Sequence, residues 1–182
     1  MQPMLVLPVL ITEAGTGTPD YFEVQNLSDS TVDTSGWVVA ANNATSYNIN
    51  GVHQPLWSFP DVMAPGEVIY RPDQVGDDIY WQTRQRGWLL ILNAQGQIMD
   101  FVVWGYTAEE LAGMEIDVGP FQDIRPAGVW SGPPVDSSTA ASFELQRTGS
   151  VDHNNAANWT FDEDGTPNEQ NSGLVLPFVG QG

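Results

Sequence analysis

Asp20-Tyr-Phe-Glu-Val-Gln-Asn-Leu-Ser-Asp-Ser-Thr-Val-Asp-Thr-Ser-Gly-Trp37 reads as strand, polar turn, strand. Tyr21, Phe22 and Val24 are aromatic or β-branched strand formers, with Glu23 set between them. Asn26 to Asp29 is a cluster of turn residues, and Gly36 stands where the chain re-enters an apolar run at Trp37-Val-Val-Ala40. Working outward, Trp88-Leu-Leu-Ile-Leu92 and Phe101-Val-Val-Trp104 are almost unbroken apolar and predict deeply buried central strands. Asn93-Ala-Gln-Gly96 between them reads as a hairpin connection. Further strands are expected near Val6–Ile11, Phe22–Gln25, Trp37–Ala41, Val68–Tyr70, Ser142–Gln146 and Trp159. Turn signals separate them at the spacing of a sandwich, so one apolar cluster should hold Trp37, Leu90, Leu92, Phe101, Val103 and Phe143.

Composition bounds the rest. A chain of 182 residues with seven Trp and 41% hydrophobic residues can fill one sandwich core. Five Arg and no Lys face 23 acids, a net charge of −18. Such a field repels phosphates and anionic membrane surfaces, which argues against nucleic-acid binding. No window approaches the roughly 18 apolar residues of a membrane span. Met1-Gln-Pro-Met-Leu-Val-Leu-Pro8 lacks a basic leader region, so no export signal is visible in this chain. Cysteine is absent, which excludes disulfides and thiolate chemistry.

The spelling of these segments resembles the lamin tail domain, an Ig-like β-sandwich that closes nuclear lamins and recurs in bacterial exported proteins. Tyr21, Glu23, Val24 and Asn26, then Val32-Asp-Thr-Ser-Gly-Trp37, match that family's first hairpin. Ala64-Pro-Gly66 matches its turn before a strand, with Met63 in place of leucine. Leu90–Val103, carrying Asp100, is similar to its second hairpin, and Ser142-Phe-Glu-Leu-Gln-Arg147 to a later strand. Trp159, Thr166-Pro167 and Asn171 resemble its terminus, with Asn168 where glycine is usual; Asn tolerates positive φ best after Gly. The resemblance implies an all-β, Ig-like antiparallel sandwich over residues 9–172, with 1–8 as an edge segment or linker and 173–182 as a tail or linker. It also implies a scaffold role, often as one unit of a longer multi-domain chain.

An insertion at 105–134 exceeds what a hairpin needs, and loops of this size usually carry function or meet a neighbour. Thr107-Ala-Glu-Glu110 within it spells a capping box for a short helix that Gly113 cuts off. The ends repeat each other, Leu5-Val-Leu-Pro8 and Leu174-Val-Leu-Pro177, which is read as coincidence or as two linker-proximal edge strands.

Candidate chemistry is sparse. Glu13 and Glu23 lie on the first two predicted strands and could face each other as a glycosidase pair, but sheet-edge acids bonded to backbone amides are the favoured reading. His53 and His153 are too few for zinc and lie near no nucleophile elbow. Asp162-Glu-Asp164-Gly165, with Asp152 and Asn154 upstream, offers hard oxygen ligands for calcium without the spaced loop that calcium sites favour. Asp77-Asp78 is a weaker pair. Trp57, Tyr80, Trp81 and Trp130 fall in predicted loops or at their edges, where a sugar ring could stack, with plugging the ends of the sandwich as the favoured reading of any one of them. The expectation is a non-catalytic interaction or attachment module of a bacterial surface or secreted protein, extracellular, with a protein or surface polysaccharide as partner. The alternative is a carbohydrate-binding module using Trp57, Trp81 and Trp130, with a structural calcium at Asp162 and Asp164.

Overall fold

The computed structural model describes residues 8–17, 19–42, 49–53, 57–73, 86–138, 140 and 144–180. Trp81, Phe143, Tyr80, the Asp77-Asp78 pair and the first copy of the terminal repeat up to Leu7 lie outside them. Two antiparallel sheets make the sandwich. The first runs β15 (Trp159–Asp162), β13 (Glu144–Arg147), β1 (Val9–Gly15), β2 (Tyr21–Asn26), β8 (Val68–Pro72). The second runs β10 (Ile98–Trp104), β9 (Gly87–Leu92), β4 (Val38–Ala41), β6 (Trp57–Ser58). Three smaller sheets flank them: β12 (Phe121–Ile124), β11 (Ile116–Val118) and β5 (Gly51–His53); β14 (Gly149–Asp152) with β16 (Leu174–Gly180); and β3 (Val32–Asp33) with β7 (Val62–Met63). The β5–β11 and β14–β16 pairs run parallel, at the periphery of an otherwise antiparallel fold.

Trp37, Leu90, Leu92, Phe101 and Val103 share one buried cluster, as expected of them. All six residues of β9 are buried, although a strand points alternate side chains to opposite faces. Its second face therefore needs cover, and residues of the insertion (Leu111, Met114, Ile116, Val118, Ile124, Trp130) belong to the same cluster. β10, expected to be central, is at the end of its sheet. Val135 covers its far end, the Gly105 amide donating to the Val135 carbonyl and the Val135 amide to that of Val103.

The opening stretch is not a hairpin. β2 and β4 belong to different sheets, and the chain between them crosses over through β3, which pairs with β7. The Asn26 side chain makes the crossover, its amide donating to the carbonyls of Ser30, Met63 and Ala64 at 2.9–3.1 Å. The Gly66 amide returns a bond to Asn26 O, so two turns far apart in sequence are tied at one residue. Gly36 and Gly66 both take positive φ (74° and 73°), which only glycine adopts without strain.

The predicted helix is α1 (Ala108–Ala112). Thr107 Oγ1 accepts from the Glu110 amide and Glu110 Oε2 from the Thr107 amide, the reciprocal capping box, and Gly113 ends it. The expected hairpin also forms, with Asn93 Oδ1 accepting from the amides of Gln95 and Gln97, and Gly96 at φ 76°. At the C-terminus, the residues expected to be a tail form β16, whose Leu174 and Phe178 pack with Leu10 and Leu27 in a second buried cluster. No helix among the described residues is long and apolar enough to cross a membrane.

Candidate functional site

The polar chemistry of the molecule gathers around a bulge in β1. The β1–β2 register runs Ile11 opposite Val24, then Glu13 opposite Glu23, so Thr12 is an extra residue. The two glutamates are cross-strand neighbours and both are fully buried. Tyr21 Oη donates to Glu13 Oε1, and Thr166 donates to Glu13 through its amide (3.2 Å) and its hydroxyl (2.9 Å). Glu23 accepts from Thr12 Oγ1 at 2.7 Å and from the Asn168 amide at 2.8 Å. The acids thus clamp the Thr166-Pro-Asn168 turn. Asn168 takes φ 66°, the positive value expected of it in place of glycine. Gly165 seals the pair, because a Cβ there would lie 2.7 Å from Glu13 Oε1 and 2.8 Å from Tyr21 Oη. Burial, with the nearby Glu13 charge, pushes the Glu23 carboxyl up to about 7 against the pull of the Thr12 hydroxyl and Asn168 amide. Desolvation and the bond to Glu13 push the Tyr21 phenol upward as well.

On the other side of the bulge lies an ion cluster that sequence reasoning missed. Arg147, 1% exposed, donates from Nη2 to Asp100 Oδ2 (2.6 Å), from Nη1 to Asp152 Oδ1 (3.2 Å) and from Nε to Ile11 O (2.7 Å). The Ile11 amide donates to Asp100 Oδ2 at 2.7 Å, and Asn171 Nδ2 donates to the Thr12 and Arg147 carbonyls. Trp159 and Phe178 rings stand 4.6 and 5.7 Å from the guanidinium carbon. Burial outweighs the attraction of Arg147 and pushes Asp100 up to about 6. A signal existed: Asp100 interrupts the apolar run Ile98–Trp104, in a chain with five Arg and no Lys to pair with it.

The acidic loop is put to structural use. Asp162 Oδ1 accepts from the Asp164 amide at 3.2 Å, an Asx turn, and Gln146 Nε2 donates to Asp164 O at 3.0 Å. Asp152 does not join them; it is turned inward to Arg147 and accepts from the Asn154 amide. Among the described residues, no three His, Asp or Glu side chains gather as a metal site would require. Trp130 is 7% exposed, donates its indole N–H to Pro133 O and meets Phe101 edge-on, so it offers no free ring face. Trp57 is half-buried against Phe22 and Phe59. Both were candidates for a stacking platform, with a plug at the end of the sandwich as the favoured reading of either, and packing against the core takes up most of their area.

One cavity of about 500 Å³ opens beside Arg86, Tyr106, Val135, Asp136, Ser137 and Ser138. Arg86 lies over the Tyr106 ring at 4.7 Å and donates from the one Nη2 to both Glu110 carboxylate oxygens at 3.0 Å.

No family model matches the chain, and no curated protein matches it. The site must speak through its geometry. That geometry uses each paired acid as a hydrogen-bond acceptor for the chain's own amides and hydroxyls, sealed from solvent.

Proposed function

We propose that this chain is a non-catalytic interaction or attachment module resembling the lamin tail domain, one unit of a bacterial surface or secreted protein. The observation that carries it is the state of Glu13 and Glu23. A glycosidase pair must reach a scissile bond, whereas these carboxylates are buried and occupied by Tyr21, Thr12, Thr166 and Asn168. The residues that carry the resemblance (Asn26, Gly36, Gly66, Asp100, Arg147, Thr166, Asn171) act in turns and buried networks, as a scaffold requires. The test is binding of the labelled protein to bacterial cells before and after protease shaving. Binding lost on shaving supports a protein partner, and binding kept on isolated wall polysaccharide supports a glycan. Hydrolysis of a glycoside panel that disappears in Glu13→Gln would overturn the non-catalytic reading.

A carbohydrate-binding module with a structural calcium is the second reading. The cavity beside Arg86 favours it, since hydroxyls, a carboxylate and a guanidinium there suit a polyol. Sugar binding abolished by Asp136→Ala would move the assignment to this reading. A calcium ion at Asp162 and Asp164 would raise the melting temperature after chelator treatment, by about 2.7 kcal/mol of stability at a hundredfold excess over Kd. That rise should vanish in Asp164→Ala.

A further inference from the structure

Besides packing on the core, the insertion pairs with β5, a strand that belongs to neither main sheet. Gly51–His53 runs parallel to Ile116–Val118, the Gly119 amide donates to His53 O at 2.9 Å, and the Glu115 amide donates to Asn50 Oδ1 at 2.8 Å. At the end of this ladder the His53 side chain turns inward and is 1% exposed. Its ring stands edge-on to Trp88 of β9, with centroids 4.9 Å apart and planes at 85°. Neither Nδ1 nor Nε2 has a hydrogen-bond partner among the described residues, and the neighbouring Trp88 Nε1 has none either. Buried polar groups are normally satisfied, and exceptions ask for a reason. A neutral imidazole tolerates this site at the cost of one unmade donor bond. An imidazolium would bring two donors and a full charge into a place away from solvent where, among the described residues, no acceptor meets either nitrogen.

We propose that His53 is a proton-operated latch: on acidification its imidazolium leaves the Trp88 face, and β5 releases β11 of the insertion while the two main sheets stay folded.

Among the described residues, no charged group stands ready to hold the imidazolium in place. From β9 the ring meets Trp88, and from β11 its register partner is Val118. Of the charged groups on β11 and its flanks, Asp117 accepts from the Asp123 amide, and Glu115 is ion-paired with Arg125 in solvent. Burial alone lowers the His53 proton affinity. A histidine depressed on folding contributes stability that is present above its ordinary value near 6.5 and lost as pH falls through the folded value. The two carboxyls raised on folding, Glu23 and Asp100, work in the opposite direction, so their protonation does not imitate the latch. The device is local because β5 is three residues long and pairs with the insertion alone in its sheet, whereas the β9–β10 and β1–β2 ladders are long and buried. Short elements of this kind open at a fraction of the global free energy.

Hydrogen exchange on the whole chain between pH 7.5 and 5, corrected for the intrinsic chemical rate, tests it. Amides of 51–53 and 116–119 should lose protection by about tenfold per pH unit below roughly 6.5, while those of 88–92 and 98–104 keep theirs. His53→Phe keeps the edge-on ring and should remove the response; His153→Gln should keep it. Equal losses in the parent protein and His53→Phe would overturn the latch. If His53→Phe does not fold, the imidazole resonances of the parent protein decide instead. A His53 ring that titrates at 6.5 or above, with protection at 116–119 unchanged, would also overturn it.

Discussion

At the scale of single residues, Arg147 bears the largest individual responsibility. It spans the β1 bulge, two carboxylates and two aromatic rings from a position with no access to solvent. Removing one member of a buried ion cluster leaves the others charged and unpaired, which costs about 3–5 kcal/mol. Arg147→Ala should therefore lower the unfolding free energy from a urea titration by that amount. Arg147→Lys should recover little, because an ammonium cannot reproduce three directed bonds from one planar fork. A loss below about 1 kcal/mol would mean that Asp100 and Asp152 find other partners or simply take up protons. Glu13 and Glu23 show the same economy of use. Their identity and strand positions were legible in the sequence, and so was their bonding to amides, but not their place: β1 and β2 lie inside the sheet rather than at the edge expected for them. Their donors were not legible, since Thr166 and Asn168 are 145 or more residues away along the chain.

At the scale of elements, α1 is the piece that local sequence determines most completely. The Thr107 hydroxyl and the Glu110 carboxylate satisfy each other's amides within four residues, and Arg86 adds a clamp from outside. A cap of this type contributes about 1 kcal/mol, so Thr107→Ala should speed exchange of the Glu110 and Leu111 amides several-fold. Unchanged exchange there would show that Arg86 and packing of Leu111 hold the turn without its cap. The strands around Trp88 and Phe101 were equally plain, because a run of large apolar residues has only the core to enter. The first hairpin was not plain. A polar linker spells "turn" whether it joins neighbours in one sheet or crosses between two, and the Asn26 bonds to Met63 and Ala64 decide the matter from afar.

For the whole molecule, charge and buried carboxyls set the response to pH. Glu23, raised to about 7, and Asp100, raised to about 6, bind protons more tightly folded than unfolded. Their contribution is fully present below their unfolded values near 4 and is lost as pH rises through 6 to 7. Acidification also relieves the self-repulsion of a chain at −18. The melting temperature should thus rise from pH 8 to pH 5, and Glu23→Gln should flatten the rise. A steady fall over that range would contradict both the burial of Glu23 as an acid and the repulsion argument. Chloride at molar concentration should reproduce at pH 8 only the part due to repulsion, because salt screens exposed charges and leaves the sealed pair untouched.

Alternation, turn chemistry and the capping box belong to neighbours along the chain, so the sequence by itself determined the all-β class, the buried apolar strands around Trp88 and Phe101 (though not the place of β10 at the end of its sheet), the Asn93–Gly96 connection and the helix in the insertion. It determined the acidity and the absence of thiol chemistry outright. Only the tertiary structure decided that the opening stretch crosses between sheets and that the last residues form a strand of the body. The same holds for Trp130, drawn into the core, for Asp152, turned toward Arg147, and for His53, placed beneath the insertion with no partner for its nitrogens among the described residues. Each of these depends on contacts between residues far apart in the chain. Burial and hydrogen-bond satisfaction are properties of the packed whole, and no local pattern encodes which distant atom will meet a given side chain.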